Sequence, residues 1–381
     1  MDKIKVLHVT YDMRIGGTEQ VIKNLIQGSD KRIFEMSILC IESPLGPFAN
    51  ELLEQGIKIG ALSRQPGFDT KLIAQIRHHI KENKIDIVHC HQYTPYVYGL
   101  FGSFFTNAKV IFTEHGRFYP DSSSWKRQLL NPVLNIFTAA TTAISTATKQ
   151  ALSEFENIPS SKIQVVYNGI FGLSEDANKT KVLSKELAFS EHVPCIGTIA
   201  RLDPIKNHSM MLKAFNRALE AGIKCKLLLV GDGEEMPNIM RLITELKLDK
   251  HVILTGYEPK PQNHLALMDI YLLPSLSEGT SMTLLEAMSM GKPCIVTHAG
   301  GNPEIVLDEV TGLVTPNDDE DAYAAAIVRL LNDVQLQYKF GKAGKERFNQ
   351  EFSIPNMANA YRAVYLKCLP TNKQASIKSN G

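Results

Sequence analysis

Apolar positions in this chain gather into short runs, separated by segments in which they recur at intervals of three and four. The runs have strand character. In the first half they are "KIKVLHVT", "FEMSILCI", "DIVHCH", "KVIFTEHG", "TTAIS" and "IQVVYNG". In the second they are "PCIGTIARL", "KLLLVGDG", "HVILTGY", "DIYLLPS", "PCIVTHAGG" and "TGLVTP". Segments such as "EQVIKNLIQG" and "NHSMMLKAFNRALEAG" carry the period of a helix with one apolar face. Such alternation from end to end predicts an α/β protein with parallel sheets. A length of 381 residues exceeds what one hydrophobic core usually serves, so two domains are expected. The join falls in polar "FGLSEDANKTKVLSKELAFSEH", residues 171–192, which has no strand run, and the tail "PTNKQASIKSNG" predicts fraying. Ligands of open parallel sheets bind beyond the carboxyl ends of the strands, and two such domains facing each other would enclose a cleft.

Charge and cysteine content narrow the function classes. A formal net charge of +1 gives the chain no long-range pull towards nucleic acid or anionic lipid, which leaves only local patches to act on such partners. Cys40, Cys90, Cys195, Cys225, Cys294 and Cys368 form no C-x-x-C pair and read as buried, reduced thiols of a cytosolic protein. "MDKIKVLHVTYD" runs straight into a strand and is not a signal peptide, and no apolar run approaches the roughly 20 residues that span a bilayer.

Candidate chemistry clusters just after strand runs. Gly16 and Gly17 in "YDMRIGGTEQVIKNL" strip side chains from a helix start, either for a tight turn or to let backbone N–H groups approach an anion. Glu19 beside them is either functional or half of a surface pair with Lys23. Arg201 and Lys206 in "IARLDPIKNHSMM" are either solvated loop cations or a pair that neutralises a diphosphate, and their place at a sheet's carboxyl end favours the second reading. Gly231 in "LLLVGDGEE" permits close backbone approach. Neither a G-x-x-x-x-G-K-[ST] loop nor a G-x-G-x-x-G after the first strand occurs, which counts against an ATPase and a standard dinucleotide enzyme. His89 and His91 raise the question of a metal, but one His pair without a carboxylate cluster is thin support for one. His115 follows a strand and reads either as a core histidine or as a donor leaning into the cleft.

The most informative stretch is "PSLSEGTSMTLLEAMSMGKP". It reads as a strand end, a loop, and a helix stopped by Gly291. Backbone N–H groups of Thr280, Ser281, Met282 and Thr283 at the helix start suit a phosphate, with Gly279 beside them. Glu278 before the turn would reach a polyol, and Glu286 inside the helix would accept both hydroxyls of a ribose. An unpaired carboxylate embedded in "LLEAM" is costly to bury unless a ligand uses it. An anion held between two hydroxyl-binding carboxylates describes a nucleotide diphospho-sugar.

E-G-x-x-x-x-x-x-E followed by A-M-x-x-G-x-P, then "GGNPEIV" and "TGLVTP", resembles the retaining GT-B glycosyltransferases of the GT4-type family. "GGTE", "NGI", "ARLDPIKN", "LLLVGDGEE" and "FSIPNMANAYRAVYLKCL" extend the resemblance over nearly the whole chain. Four positions depart from the commonest pattern: Ala200 for Gly before Arg201, Asn207 for the Gly after Lys206, and Thr280-Ser281 for Phe-Gly after Glu278-Gly279. The resemblance implies two Rossmann-like domains facing a central cleft. Residues 1–175 would hold the acceptor, residues 190–354 would hold the nucleotide-sugar, a helix over about 355–369 would cross back, and residues 370–381 would form the frayed tail. It further implies that Arg201 and Lys206 hold the diphosphate, Glu286 the ribose and Glu278 the transferring sugar, with Gly17 at the phosphates and His115 near the reacting carbon. No metal or other cofactor is expected, because two cations and helix N-termini stand at the leaving group.

The expected reaction is sugar transfer with retention, a UDP-sugar being the favoured donor. A glycan or lipid-linked acceptor would rest on the first domain, and nucleic acid is not expected as a partner. Trp125, Lys126, Arg127, Leu129, Leu130 and Val133 read either as a half-buried helix or as a peripheral patch on a membrane's inner face. A nucleotide-sugar epimerase or hydrolase, and an inactive sugar-nucleotide binder, are the alternatives. Intact Arg201, Lys206, Glu278 and Glu286 argue against the last.

Overall fold

A computed structural model describes residues 3–116, 124–189, 193–371 and 373–374. The expected frayed end beyond residue 374, and residues 117–123 of the aromatic stretch after His115, lie outside the described residues. The chain divides into two compact units, one of residues 1–169 with 353–381 and one of residues 170–352.

The first unit is built on seven parallel strands: β1 (Ile4–Thr10), β2 (Phe34–Cys40), β3 (Lys58–Ala61), β4 (Ile87–His91), β5 (Lys109–Glu114), β6 (Ala140–Ala143) and β7 (Ile163–Val165). Their spatial order is β3-β2-β1-β4-β5-β6-β7. Six coincide with the apolar runs. β3 was not expected, because "KIGA" is an edge strand that buries no residue fully and so shows neither an apolar run nor alternation. The helix Gly17–Gly28 packs so closely on the helix Ile354–Cys368 that a Cβ on Gly28 would lie 2.1 Å from Ile354 Cγ2. Tyr361 and Tyr365 of that last helix are buried against His89 of β4.

The second unit carries six parallel strands: β8 (Cys195–Ile199), β9 (Lys226–Val230), β10 (Val252–Leu254), β11 (Ile270–Leu273), β12 (Cys294–Thr297) and β13 (Gly312–Thr315). Their order, β10-β9-β8-β11-β12-β13, repeats that of the first unit. Leu227, Leu229, Leu272 and Ile295 pack with Phe215, Ile239, Tyr323 and Ile327 of the covering helices, and the alternate positions Leu228, Val230, Leu273 and Val296 are buried too, so the strands are apolar on both faces. The polar segment read as the join contains the helix Ala177–Glu186, which buries none of its residues and is capped by Asp176, whose carboxylate accepts from Asn178 and Lys179 N–H.

In each unit the connections leave the sheet in opposite directions from one central strand pair, β1 with β4 and β8 with β11. The crevice that opens there, at the carboxyl ends, is where such sheets hold ligands. Around it the backbone is crowded. Gly231 follows β9 with φ +150°, and a Cβ there would stand 1.9 Å from Ala200 O. The close approach expected of Gly231 is thus made by the chain itself. Gly231→Ala is expected to lower stability by about 2–4 kcal/mol, a fall of roughly 5–15 °C in Tm. Thermal melts would check this, with Gly17→Ala as control, because a Cβ at Gly17 meets nothing within 4 Å. Equal losses in both variants would contradict it.

Candidate active site

In the second unit the loop after β8 carries Arg201 and Lys206, and the loop after β11 carries Glu278. Lys206 Nζ donates to Glu278 Oε1 at 2.6 Å, and Ser275 Oγ donates to the same oxygen at 2.6 Å. The Glu278 side chain is 8 % exposed and that of Lys206 19 %, so the pair is largely withdrawn from water. Arg201 is separate. Its side chain is exposed and pairs with Asp203 at 2.5 Å. Sequence reasoning grouped the two cations, and each faces its own carboxylate.

Asn207 sits with φ 52° and ψ 42°, the left-handed conformation that glycine and asparagine tolerate best. Its amide donates to Asp318 Oδ1 at 2.9 Å. Asparagine therefore serves where the family commonly has glycine. On the other side of the crevice Gly300, φ +51°, lies against the Glu278 backbone, where a Cβ would be 1.9 Å from Glu278 O. Gly301 N–H then donates to that carbonyl at 2.9 Å. Ser275 and the Gly300-Gly301 pair escaped the sequence reading as individual residues. Their signal was a glycine pair and a hydroxyl beside strand ends, which acquire meaning only once β11 and β12 are neighbours.

The helix after Glu278 runs Met282–Ser289 and ends with Gly291 at φ +72°. Ser281 caps it, Oγ accepting from Leu284 N–H at 3.4 Å. Thr280 and Ser281 are both buried. Tyr271 of β11 donates to Thr283 Oγ1 at 2.7 Å, and burial pushes its phenol upward, with smaller contributions from Glu286 and Glu278. Glu286 touches the surface but is otherwise crowded by protein, and burial pushes its carboxyl up from 4.5 to about 7. No cation is paired with it among the described residues.

In the first unit Gly16 precedes the helix Gly17–Gly28 in extended backbone, φ −164°, and a Cβ on it would lie 2.5 Å from Glu19 Oε2. Burial and nearby Asp12 raise the Glu19 carboxyl. Gly17 is required by no contact of the chain. His115, after β5, is not a fully enclosed core residue, yet its Nδ1 has no partner. Its Nε2 shares a hydrogen bond of 2.8 Å with His91 Nδ1. His8, His89 and His91 are the one group among the described residues whose side chains could share a metal ion. His89 already uses both ring nitrogens, on Tyr365 OH at 2.8 Å and Thr113 Oγ1 at 2.6 Å. Burial holds His8 and His115 down at about 3 and His91 well below the usual histidine range, so these rings are neutral at ordinary pH.

Glu286 gives a pH-dependent test. Between 4.5, the unfolded value, and about 7 the native state keeps a proton that the unfolded chain has released. Its contribution to stability thus falls as pH rises through that window, and the full cost is present at pH 8. Glu286→Gln is expected to raise stability at pH 8 by about 2 kcal/mol, allowing for partial solvation, or roughly 4–8 °C in Tm. Near pH 4.5 the gain should vanish. A gain of equal size at both pH values would show that the carboxyl is not raised.

Two family models match the chain side by side: "Glycosyltransferase Family 4" over residues 15–170 and "Glycosyl transferases group 1" over residues 179–347. Over 380 residues the chain is 26% identical to the UDP-Gal:alpha-D-GlcNAc-diphosphoundecaprenol alpha-1,3-galactosyltransferase of Escherichia coli, covering 96% of this chain and 97% of the other. It is 26% identical over 317 residues to the N-acetyl-alpha-D-glucosaminyl L-malate synthase of Bacillus anthracis, 82% of each chain. A solved Rickettsia africae glycosyltransferase superposes with a TM-score of 0.85 at 22% identity, covering 97% of this chain and 100% of the other. Anabaena HepE, solved with UDP, gives 0.83 at 21% identity over 94% and 99%. The fold is that of GT-B enzymes, and the chain belongs to the group 1, GT4-type glycosyltransferases, sugar-transferring enzymes of the hexosyltransferase class.

Proposed function

We propose that this enzyme transfers a sugar, with retention at the anomeric carbon, from a UDP-sugar to a glycan or lipid-linked acceptor in the synthesis of a cell-surface glycoconjugate. The single observation that carries the reading is the contrast between the two carboxylates that follow β11, one paired inside the protein and one not. Glu278 is ion-paired with Lys206, and Glu286, in the helix Met282–Ser289 that follows, is crowded by protein with no cation beside it among the described residues. A ribose offering two hydroxyls to Glu286 would supply the partner it lacks. Lys206 and Arg201 take the diphosphate, Glu278 the sugar, and the start of the helix Met282–Ser289, behind Gly279, Thr280 and Ser281, faces the phosphates. In the first unit Gly17, where no side chain is needed, also meets the phosphates, and His115 meets the donor sugar. UDP is favoured because the Escherichia coli relative is named for UDP-galactose and HepE was solved with UDP.

The bond from the anomeric carbon to the β-phosphate oxygen breaks, its electron pair leaving with the diphosphate. The acceptor oxygen bonds to the same face of that carbon, and its proton passes to the departing phosphate. The two cations and helix amides stabilise the leaving charge, so no metal is assigned; turnover that EDTA abolishes would refute this. A covalent sugar adduct trapped on a side chain such as Glu278 would refute front-face transfer.

The acceptor is assigned to the first unit and to a membrane surface. The helix Trp125–Ile136 exposes Trp125 (68 %), Leu129 (69 %) and Ile136 (73 %) along one face, with Leu130 and Val133 beside them. Lys126 lies over the Trp125 ring, and Phe105 and Phe137 extend the exposed apolar area. An apolar face with Lys126 at its edge suits an anionic leaflet, and a lipid-diphosphate acceptor is what the galactosyltransferase relative's name specifies. No helix among the described residues is long and apolar enough to cross a membrane. All six cysteines are unpaired thiols, which fits action at the inner face.

A thermal-shift panel of UDP, GDP, ADP and CMP tests the donor site. Saturation at 100 times Kd stabilises by about 2.7 kcal/mol, roughly 5–10 °C here. One nucleotide is expected to act, the shift to vanish in Glu286→Ala, and affinity to rise from pH 6 to 8 as Glu286 ionises. No shift with any nucleotide would refute the assignment. Vesicle sedimentation tests the membrane face: binding to anionic lipid at low salt should be lost in Leu129→Glu, and no binding by the native enzyme would end that part of the proposal.

A further inference from the structure

His115, His91 and His8 form an unbranched chain of hydrogen bonds across three neighbouring strands of the first unit. His115 Nε2 meets His91 Nδ1 at 2.8 Å, and His91 Nε2 meets His8 Nδ1 at 2.9 Å. The two terminal atoms, His115 Nδ1 and His8 Nε2, have no partner among the described residues. His89 stands against this line, 4.1 Å from His91 between ring centroids, but its own nitrogens go to Tyr365 and Thr113. It is therefore a neighbour of the chain and not a branch.

Neutral imidazole has one N–H and one lone pair, so the three rings must all point the same way. If His8 Nδ1–H donates to His91 and His91 Nδ1–H donates to His115, the chain ends in an Nδ1–H on His115. In the opposite sense it ends in an Nε2–H on His8. The two ends are not equivalent. His8 is 0 % exposed on the central strand β1, whereas His115 stands at the end of β5 and is part exposed. Orphaned N–H groups in a sealed interior are rare because nothing replaces the lost hydrogen bond. Both terminal nitrogens are themselves shut off from solvent, so the favoured sense is the one that puts the orphan donor on the ring a bound molecule can reach, His115. A metal bridging His8, His89 and His91 is disfavoured by the same bookkeeping, since five of their six nitrogens are already engaged.

We propose that His8 and His91 are positioning residues that lock His115 as its Nδ1–H tautomer, making it a hydrogen-bond donor to an oxygen of the bound sugar-nucleotide. This rests on the assignment of His115 to the donor sugar given above. Burial keeps all three rings neutral, so the proton stays on Nδ1 across the physiological range. A free histidine prefers Nε2–H. The buried chain reverses that preference from two residues away.

The experiment is nitrogen-15 correlation spectroscopy of the intact enzyme labelled at histidine, with His115→Gln to assign the signal, alongside turnover and UDP affinity. Wild-type His115 is expected as Nδ1–H from pH 5.5 to 8. His8→Leu removes the donor that orients His91. Its expected effects are a shift of His115 towards Nε2–H and a fall in kcat of roughly tenfold, the weight of one hydrogen bond. UDP affinity should change less than twofold. His8→Asn, whose amide reaches the place of Nδ1 and can donate, should restore both tautomer and rate. Wild-type His115 found as Nε2–H or imidazolium at pH 7 would overturn the proposal without any variant. So would a flipped tautomer in His8→Leu with unchanged kcat. Should every donor fail to turn over, the transfer reading falls by itself. The locked donor is then judged by whether the His115 Nδ1–H signal moves when a UDP-sugar is added, and an unmoved signal overturns it.

Discussion

The ion pair between Lys206 and Glu278 is the contact on which the second unit's crevice depends. Two opposite charges withdrawn from water persist only if each finds the other at short range with further hydrogen bonds around them. Ser275 supplies one such bond, at 2.6 Å to the same carboxylate oxygen. The requirement spreads outward. Glu278 must arrive from the end of β11 and Lys206 from the turn after β8, so those strands must be neighbours, as they are. The Glu278 carbonyl must then be accommodated by Gly300 and Gly301, and the turn after Lys206 must take the left-handed bend that Asn207 adopts. Removing either partner leaves a buried charge, which costs far more than the pair itself contributes.

One strand order serves two electrostatic styles. In the second unit the loops after β8 and β11 bring charge together, Lys206 meeting Glu278, with Glu286 in the helix that follows. In the first the corresponding place between β1 and β4 is filled by neutral rings and hydroxyls: His8, His89, His91, Thr113 and Tyr365. Residues two apart on a strand share a face, so His89 and His91 of β4 face the same side and His8 of β1 meets them. Charged groups suit a diphosphate that brings its own charge. Neutral donors suit hydroxyls, which need direction more than field.

Much of this was legible in the sequence, and the failures have physical causes. Strands buried on both faces announce themselves as apolar runs, which is why β9, β11 and β12 were read from "KLLLV", "IYLL" and "CIVT". The edge strand β3 buries too little to leave such a mark. Glu286 was readable because a carboxylate inside "LLEAM" conflicts with its surroundings, and that conflict is what raises its pKa. Gly231 was readable as a place of close backbone approach, and Ala200 O lies against the space its missing side chain leaves. His8 was passed over because nothing local distinguishes it. It sits in an ordinary apolar strand and gains meaning only from His91, a residue 83 positions away.

Local rules that fail without compensation inside the chain point outward. Glu286 is crowded yet unpaired, and His115 offers an Nδ1 with no acceptor. A sequence selected only for stability would replace both, since each substitution by a group without an unmet hydrogen bond lowers the cost of folding. Glu278 shows the contrasting case: its partner is internal, so its cost is already met. A ligand with a diol, a phosphate and a sugar hydroxyl would satisfy the first two and would compete for Lys206 in the third. Binding would then remove two penalties and loosen one contact. That is how a site gains affinity without deep burial of apolar surface, and why its strongest contacts would be those that the chain does not make with itself.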